Sequence, residues 1–143
     1  MSDQVKPLYT ANAVATGAGR DGHVSSLDKT VDTDLAVPKE MHGAGGLPNP
    51  EIFFAAGFAA CFHNALRLVA RRAKQNVEGS SVAAAVTLGA NERGGFELAV
   101  VLEVSVPGLD KPTLRELVET TEQVCPYSNA VRGNVPVEVR ISA

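Results

Sequence analysis

The sequence predicts one domain that mixes helices with strands, and three observations carry that prediction. Asn49-Pro50-Glu51 opens a long apolar helix. Short β-type runs punctuated by glycine and proline flank it on both sides. The chain has 143 residues of ordinary globular composition, 45% hydrophobic and 20% charged, which suits a single core over residues 1–143.

Taken in order, Leu8 to Thr16 reads as a strand and Gly22 to Leu27 as its hairpin partner. The turn between them is Gly17-Ala18-Gly19-Arg20-Asp21-Gly22. A third strand is expected over Val31 to Val37, stopped by Pro38, and His42 to Pro50 is a loop suited to lining a site. The helix that follows has Asn49 as N-cap, proline in its first turn and Glu51 near the positive end of its dipole. It should run to about Lys74, with Arg67, Arg71, Arg72 and Lys74 in its C-terminal half. From Ile52 to Phe62 it is apolar on every face, which predicts burial all round. A monomer of this size struggles to enclose such a helix, so an intertwined homodimer is expected.

Ser81 to Gly89 and Gly95 to Val106 form the next two strands, joined by Asn91-Glu92-Arg93-Gly94. Leu114, Leu117, Val118, Thr121 and Val124 keep helical spacing and give a second helix from Pro112 to Val124. Pro126 ends it by restricting Cys125. Tyr127 to Arg132 makes a further turn stopped by Gly133, and Val135 to Ile141 closes the chain as a strand.

Composition narrows the function. Thirteen Lys and Arg against sixteen Asp and Glu give a net charge of -3, so no nucleic-acid partner is expected. Met1 to Thr10 carries no secretory leader pattern. The apolar stretch Ile52 to Leu66 is shorter than the roughly 20 residues of a bilayer span. A cytoplasmic protein without membrane attachment is expected. In that compartment a permanent structural disulfide is unusual, so the two cysteines point to catalysis, metal binding or inert burial.

Cys61 lies about three turns into the apolar helix. Alone, it reads as a small core hydrophobe, and apolar burial would raise its pKa. A reactive Cys61 therefore needs a cation from elsewhere. Arg20, in its glycine-rich turn, is a candidate, though by residue type it reads first as a solvated turn residue. Cys125 sits at a helix end in Val-Cys-Pro-Tyr-Ser-Asn, where a resolving thiol could move. An inert cysteine is the alternative there too. Glu51 is first an ordinary helix-start acid. It precedes Cys61 by ten residues, about 15 Å along an unbroken helix, so either Gly57 breaks the helix or a partner subunit supplies Glu51.

No metal is expected. His23, His42 and His63 form no tight ligand cluster with the cysteines, and no Cys-x-x-Cys pair is present. His63 points about 200° away from Cys61 around a helix, which excludes a local Cys-His nucleophile pair. Neither glycine-rich segment follows a phosphate-loop or dinucleotide pattern.

Several segments together resemble one family. They are Leu8-Tyr9-Thr10-Ala11, Arg20-Asp21-Gly22, Asn49-Pro50-Glu51, Ala55-Ala56-Gly57-Phe58-Ala59-Ala60-Cys61-Phe62, Cys125-Pro126-Tyr127-Ser128-Asn129-Ala130 and Arg132-Gly133-Asn134. In this order they resemble the organic hydroperoxide resistance proteins, a branch of the OsmC-like superfamily, over nearly the whole chain. Phe58, where the family often carries tyrosine, is a small departure. The resemblance implies an α+β fold: an intertwined homodimer with curved sheets around two central helices and sites at the subunit interface. It implies Cys61 as peroxidatic and Cys125 as resolving cysteine, Arg20 as the thiolate-stabilising arginine, and Glu51 as the carboxylate orienting it. It implies no tightly bound cofactor, organic hydroperoxides as substrates, and dihydrolipoyl groups on a lipoylated protein as the dithiol reductant. Phe53, Phe54, Phe58 and Phe62 are candidates to line an alkyl slot, with core or dimer packing as the commoner role of each. The rival readings are a peroxidase of the OsmC subgroup, an apolar-ligand carrier or redox sensor, and a cysteine hydrolase.

Overall fold

The computed structural model describes residues 5–142. The chain divides into two compact units that meet in sequence between Pro50 and Glu51.

The N-terminal unit is a small antiparallel sheet of β1 (Ala13–Thr16), β2 (His23–Ser26) and β3 (Asp32–Asp34), in that order. Thr16 pairs with His23, and His23 with Asp34. The turn between β1 and β2 is a single 3-10 turn over Gly19–Asp21. Glycine is required at position 22, where a Cβ would lie 2.3 Å from the Thr16 carbonyl oxygen. The turn into β3 is organised by Asp28, whose carboxylate accepts from Ser26 Oγ (2.7 Å), Thr30 Oγ1 (2.7 Å) and Thr30 N–H (3.1 Å). Those bonds hold its pKa down at about 2.

All three strands are shorter than the hydropathy pattern predicts. Leu8 and Tyr9 belong to no strand and stay 99% and 81% exposed in this chain, because the β1–β2 ladder begins only at Ala13. The third strand stops at Asp34 rather than Val37. Beyond it the backbone bonds elsewhere: Ala36 N–H donates to the Pro48 carbonyl, and Val37 N–H to the Asp21 carboxylate.

The C-terminal unit contains the hydrophobic core. Its elements are α1 (Pro50–Arg72), β4 (Ser81–Ala90), β5 (Phe96–Ser105), α2 (Lys111–Val124), α3 (Pro126–Val131) and β6 (Val137–Ser142). The sheet runs β4-β5-β6. The β4–β5 hairpin is antiparallel, whereas β6 returns parallel to β5 after the helical crossover α2–α3, as a parallel pair requires. Val100, Leu102 and Val104 of β5 point one way into the core. They meet Phe58, Phe62, Leu66 and Val69 of α1, and Leu114, Leu117 and Val118 of α2. The opposite face is solvated and carries the Arg140–Glu138 ion pair at 2.8 Å. Asp110 caps α2 by accepting from Thr113 N–H at 3.0 Å.

Helix α1 begins where the Asn-Pro-Glu signal places it and is continuous through Gly57. The helix is long and apolar enough to cross a membrane by length and composition, exceeding the shorter stretch that the hydropathy pattern isolates. Six of its residues are instead buried in the core. Burial all round is not what the chain itself provides. Ile52, Ala56, Ala60 and Asn64 recur every four residues and form one exposed stripe.

Candidate functional site

Two sulfur atoms far apart in sequence meet in the C-terminal unit. Cys61 Sγ, about three turns into α1, lies 3.8 Å from Cys125 Sγ in the joint between α2 and α3, and both residues are free cysteines. A disulfide needs an S–S separation of about 2.05 Å, so closing the bond requires the sulfurs to approach by only about 1.8 Å.

The joint that presents Cys125 follows from its sequence. Pro126 keeps the preceding residue out of helical geometry, and Cys125 has φ -65° and ψ 121°. It thereby ends α2, its N–H donating to the Thr121 carbonyl at 2.9 Å, and begins α3, its carbonyl accepting from Asn129 N–H at 3.0 Å. Its thiol sulfur also serves as the N-cap of α3, accepting from Ser128 N–H at 3.5 Å. Proline has no N–H, so Tyr127 and Ser128 are the first donors of this short helix. Ser128 N–H bonds to the Cys125 sulfur, and the Tyr127 backbone N–H lies near enough to Cys61 to draw its thiol pKa down.

Tyr127 is the residue whose role was hidden in the sequence. Its ring lies against Phe58 and Phe54, with centroids 5.6 Å and 6.2 Å away. It also covers Gly57, where a Cβ would stand 2.6 Å from the phenol oxygen. Gly57 and Cys61 are one helical turn apart on the same face of α1. The glycine lets the tyrosine ring approach the face of α1 that carries Cys61. A glycine inside an apolar helix, paired with an aromatic after Cys-Pro, was the available signal.

Burial pushes the Cys61 thiol pKa up, and the neighbouring Cys125 sulfur adds to that rise, while the Tyr127 N–H bond pulls the other way. Cys61 is half-buried and Cys125 fully buried.

The remaining predicted residues are distributed as follows. Arg20 lies in the Gly19–Asp21 turn of the N-terminal unit and is half-buried. Glu51 is half-buried in the first turn of α1. The unbroken helix removes the alternative in which Gly57 bends Glu51 towards Cys61 of its own chain. Phe58 and Phe62 are completely buried core residues, whereas Phe53 and Phe54 are partly exposed. Among the described residues no group of three or more His, Cys, Asp or Glu could hold a metal ion. His63 turns away from Cys61 and bonds through Nε2 to Ser80 Oγ at 2.9 Å.

Comparison with known proteins finds relatives that match nearly the whole chain. The family model described as OsmC-like protein matches residues 43–140. An organic hydroperoxide resistance protein of Xanthomonas axonopodis pv. citri is 47% identical over 144 residues, covering 99% of this chain and 100% of the relative. Among solved structures, an organic hydroperoxide resistance protein OsmC from Legionella pneumophila superposes with a TM-score of 0.92 at 46% identity, covering 96% of this chain and 100% of that one. The organic hydroperoxide resistance protein OhrB of Bacillus subtilis gives a TM-score of 0.88 at 39% identity, covering 95% and 100%. This chain is similar to each of them along almost its entire length.

Proposed function

Given that this chain belongs to the organic hydroperoxide resistance family of OsmC-like proteins, whose name implies hydroperoxide detoxification, we propose that it is a cysteine-based peroxidase reducing organic hydroperoxides to alcohols. The observation that carries the reading is the 3.8 Å approach of two free thiols, one of them capped by the Ser128 N–H.

The cycle has three steps. The Cys61 thiolate attacks the terminal oxygen of the hydroperoxide, and the O–O bond breaks. The alkoxide leaves and takes a proton to become the alcohol, while Cys61 becomes a sulfenic acid. The Cys125 sulfur then attacks the Cys61 sulfur, water departs with the Cys125 proton, and the disulfide forms. An external dithiol, a dihydrolipoyl group of a lipoylated protein, reopens it by exchange and is itself oxidised to a cyclic disulfide. No bound cofactor takes part.

Burial disfavours the thiolate that the first step needs, so a cation must compensate. Arg20 is assigned that role, and Glu51 the role of orienting the guanidinium, on the strength of the family motifs that contain them. A homodimer accommodates both assignments, because an unbroken α1 separates Glu51 from Cys61 of the same chain by about 15 Å. The exposed stripe of Ile52, Ala56, Ala60 and Asn64 supports such a dimer, since it would leave water on pairing with a second α1. Phe53 and Phe54 would receive the alkyl group, backed by the buried Phe58 and Phe62. The reading places the enzyme in the cytoplasm, with no membrane or nucleic-acid partner.

The test is turnover of cumene hydroperoxide with dihydrolipoamide, compared with thioredoxin. Sustained consumption supported by dihydrolipoamide is expected. Cys61→Ser should abolish it, and Cys125→Ser should allow one oxidation without disulfide recycling. A single stoichiometric oxidation by the wild type, with no turnover under any dithiol, would instead identify a carrier or sensor.

A further inference from the structure

Behind the cysteine-bearing face of α1 lies a groove that the peroxidase cycle does not use. His63, Arg67 and Arg71 follow one another at four-residue spacing and so form one stripe along the helix. They line one wall of a groove of about 500 Å³. That volume falls within the range of small-molecule sites. The facing wall is the segment after the helix, including Asn76, Glu78 and Ser80. His63 and Arg67 stand about 160° and 120° around the helix from Cys61, and Arg71 is about 15 Å further along its axis.

The groove is built. The 2.9 Å bond between His63 Nε2 and Ser80 Oγ ties its two walls together. The facing segment is shaped by its own bonds: Gln75 N–H to the Ala70 carbonyl (2.9 Å), Glu78 N–H to Asn76 Oδ1 (2.9 Å), and Ser80 N–H to the Val77 carbonyl (3.0 Å).

Its charge is unbalanced. The side chains of Arg67 and Arg71 have no hydrogen bond or ion pair among the described residues. Two guanidiniums one helical turn apart repel each other. The helix dipole accounts for a cation in the last turn, where Arg71 and Arg72 sit, but its effect has faded by Arg67. Glu78 is the one carboxylate lining the groove, so two arginines leave it net positive. Guanidinium forks, a serine hydroxyl and an asparagine amide together suit an oxyanion that accepts several bonds at once.

We propose that the groove between His63, Arg67 and Arg71 of α1 and the 75–80 segment binds a phosphate monoester. Its phosphate would lie between the two guanidiniums, and its small polar remainder would face Asn76 and Glu78. The ester is either a soluble phosphorylated metabolite or the headgroup of an anionic lipid.

The experiment titrates the reduced full-length protein with glycerol phosphate and with inorganic phosphate by calorimetry at constant ionic strength. Phosphatidic acid vesicles form a parallel arm. Saturable one-site binding is expected. Arg67→Gln with Arg71→Gln should weaken it by roughly tenfold or more, since charge-assisted bonds to an oxyanion are the strong kind. Arg72→Gln, outside the groove, should retain it. Peroxide consumption by the double variant should match wild type, and its circular dichroism should be unchanged. Vesicle binding that is lost in the double variant, without binding of the soluble esters, would assign the site to a lipid headgroup. Absence of saturable binding in both arms would overturn the proposal. So would equal binding by the double variant, or equal loss in Arg72→Gln.

Discussion

Replacing Gly57 with alanine tests the link between the packing of α1 and the chemistry of Cys61. The new Cβ would sit 2.6 Å from the Tyr127 phenol oxygen, 3.1 Å from Cζ and 3.3 Å from Cε2. Ordinary contact is about 3.5 Å, so the ring tip must retreat by about 0.9 Å. It cannot do so freely, because Phe54 and Phe58 hold the same ring and Phe58 is fully buried. Overpacking of this kind costs about 1–3 kcal/mol. Against it stands a gain of about 1 kcal/mol from alanine over glycine inside a helix. Tyr127 is 37% exposed and can yield towards solvent, which favours the low end of the cost. The expected net loss is therefore about 1 kcal/mol or less. The chemical effect should be clearer. Moving the ring moves the Tyr127 N–H that lowers the Cys61 pKa, so the thiol should titrate at higher pH than before. Urea unfolding measures the first effect, and the pH profile of Cys61 alkylation in a Cys125→Ser background measures the second. A variant stabilised by the full alanine gain, with an unchanged alkylation profile, would refute the proposed contact.

Other predictions concern the frame around the site. His23 Nδ1 lies 2.8 Å from Asp34 and Nε2 lies 2.6 Å from Asp32. Carboxylates only accept, so both bonds require the doubly protonated ring, and the two aspartates raise its pKa above the ordinary 6.5. Its contribution to the β2–β3 pair is complete below pH 6.5 and fades as pH rises through the raised folded-state value. An NMR titration of His23 with a midpoint at or below 6.5 would contradict this. Asp110→Ala removes the cap of α2 and should cost about 1 kcal/mol in chemical unfolding, whereas Asp110→Asn should restore most of it. Arg20→Ala should slow the first oxidation of Cys61 at neutral pH in stopped-flow measurements. An unchanged rate constant would remove Arg20 from its assigned role.

What could be read from the sequence depended on how local its cause was. Helix α1 was legible because Asn49-Pro50-Glu51 and the apolar run act within one segment, and the β4–β5 hairpin because its Asn91–Gly94 turn lies between two alternating runs. The N-terminal strands were drawn too long. Hydropathy continues through Leu8 and Tyr9, whereas strand length is set by where a partner's ladder ends. The pairing of Cys61 with Cys125 entered through family resemblance, since two residues 64 positions apart meet only through the packing of α1 against the α2–α3 joint. Tyr127 was legible as part of a motif. Its seat over Gly57 was not, because a glycine's missing side chain has meaning only once its neighbour is known.

The most direct measurement exposes the fully reduced protein to one equivalent of cumene hydroperoxide and follows thiols and intact mass together. The proposed chemistry predicts the loss of both thiols per chain, a mass lower by two hydrogens, and a peptide crosslink between Cys61 and Cys125 that a dithiol reverses. Retention of the Cys125 thiol while Cys61 advances to sulfinic or sulfonic acid would contradict it.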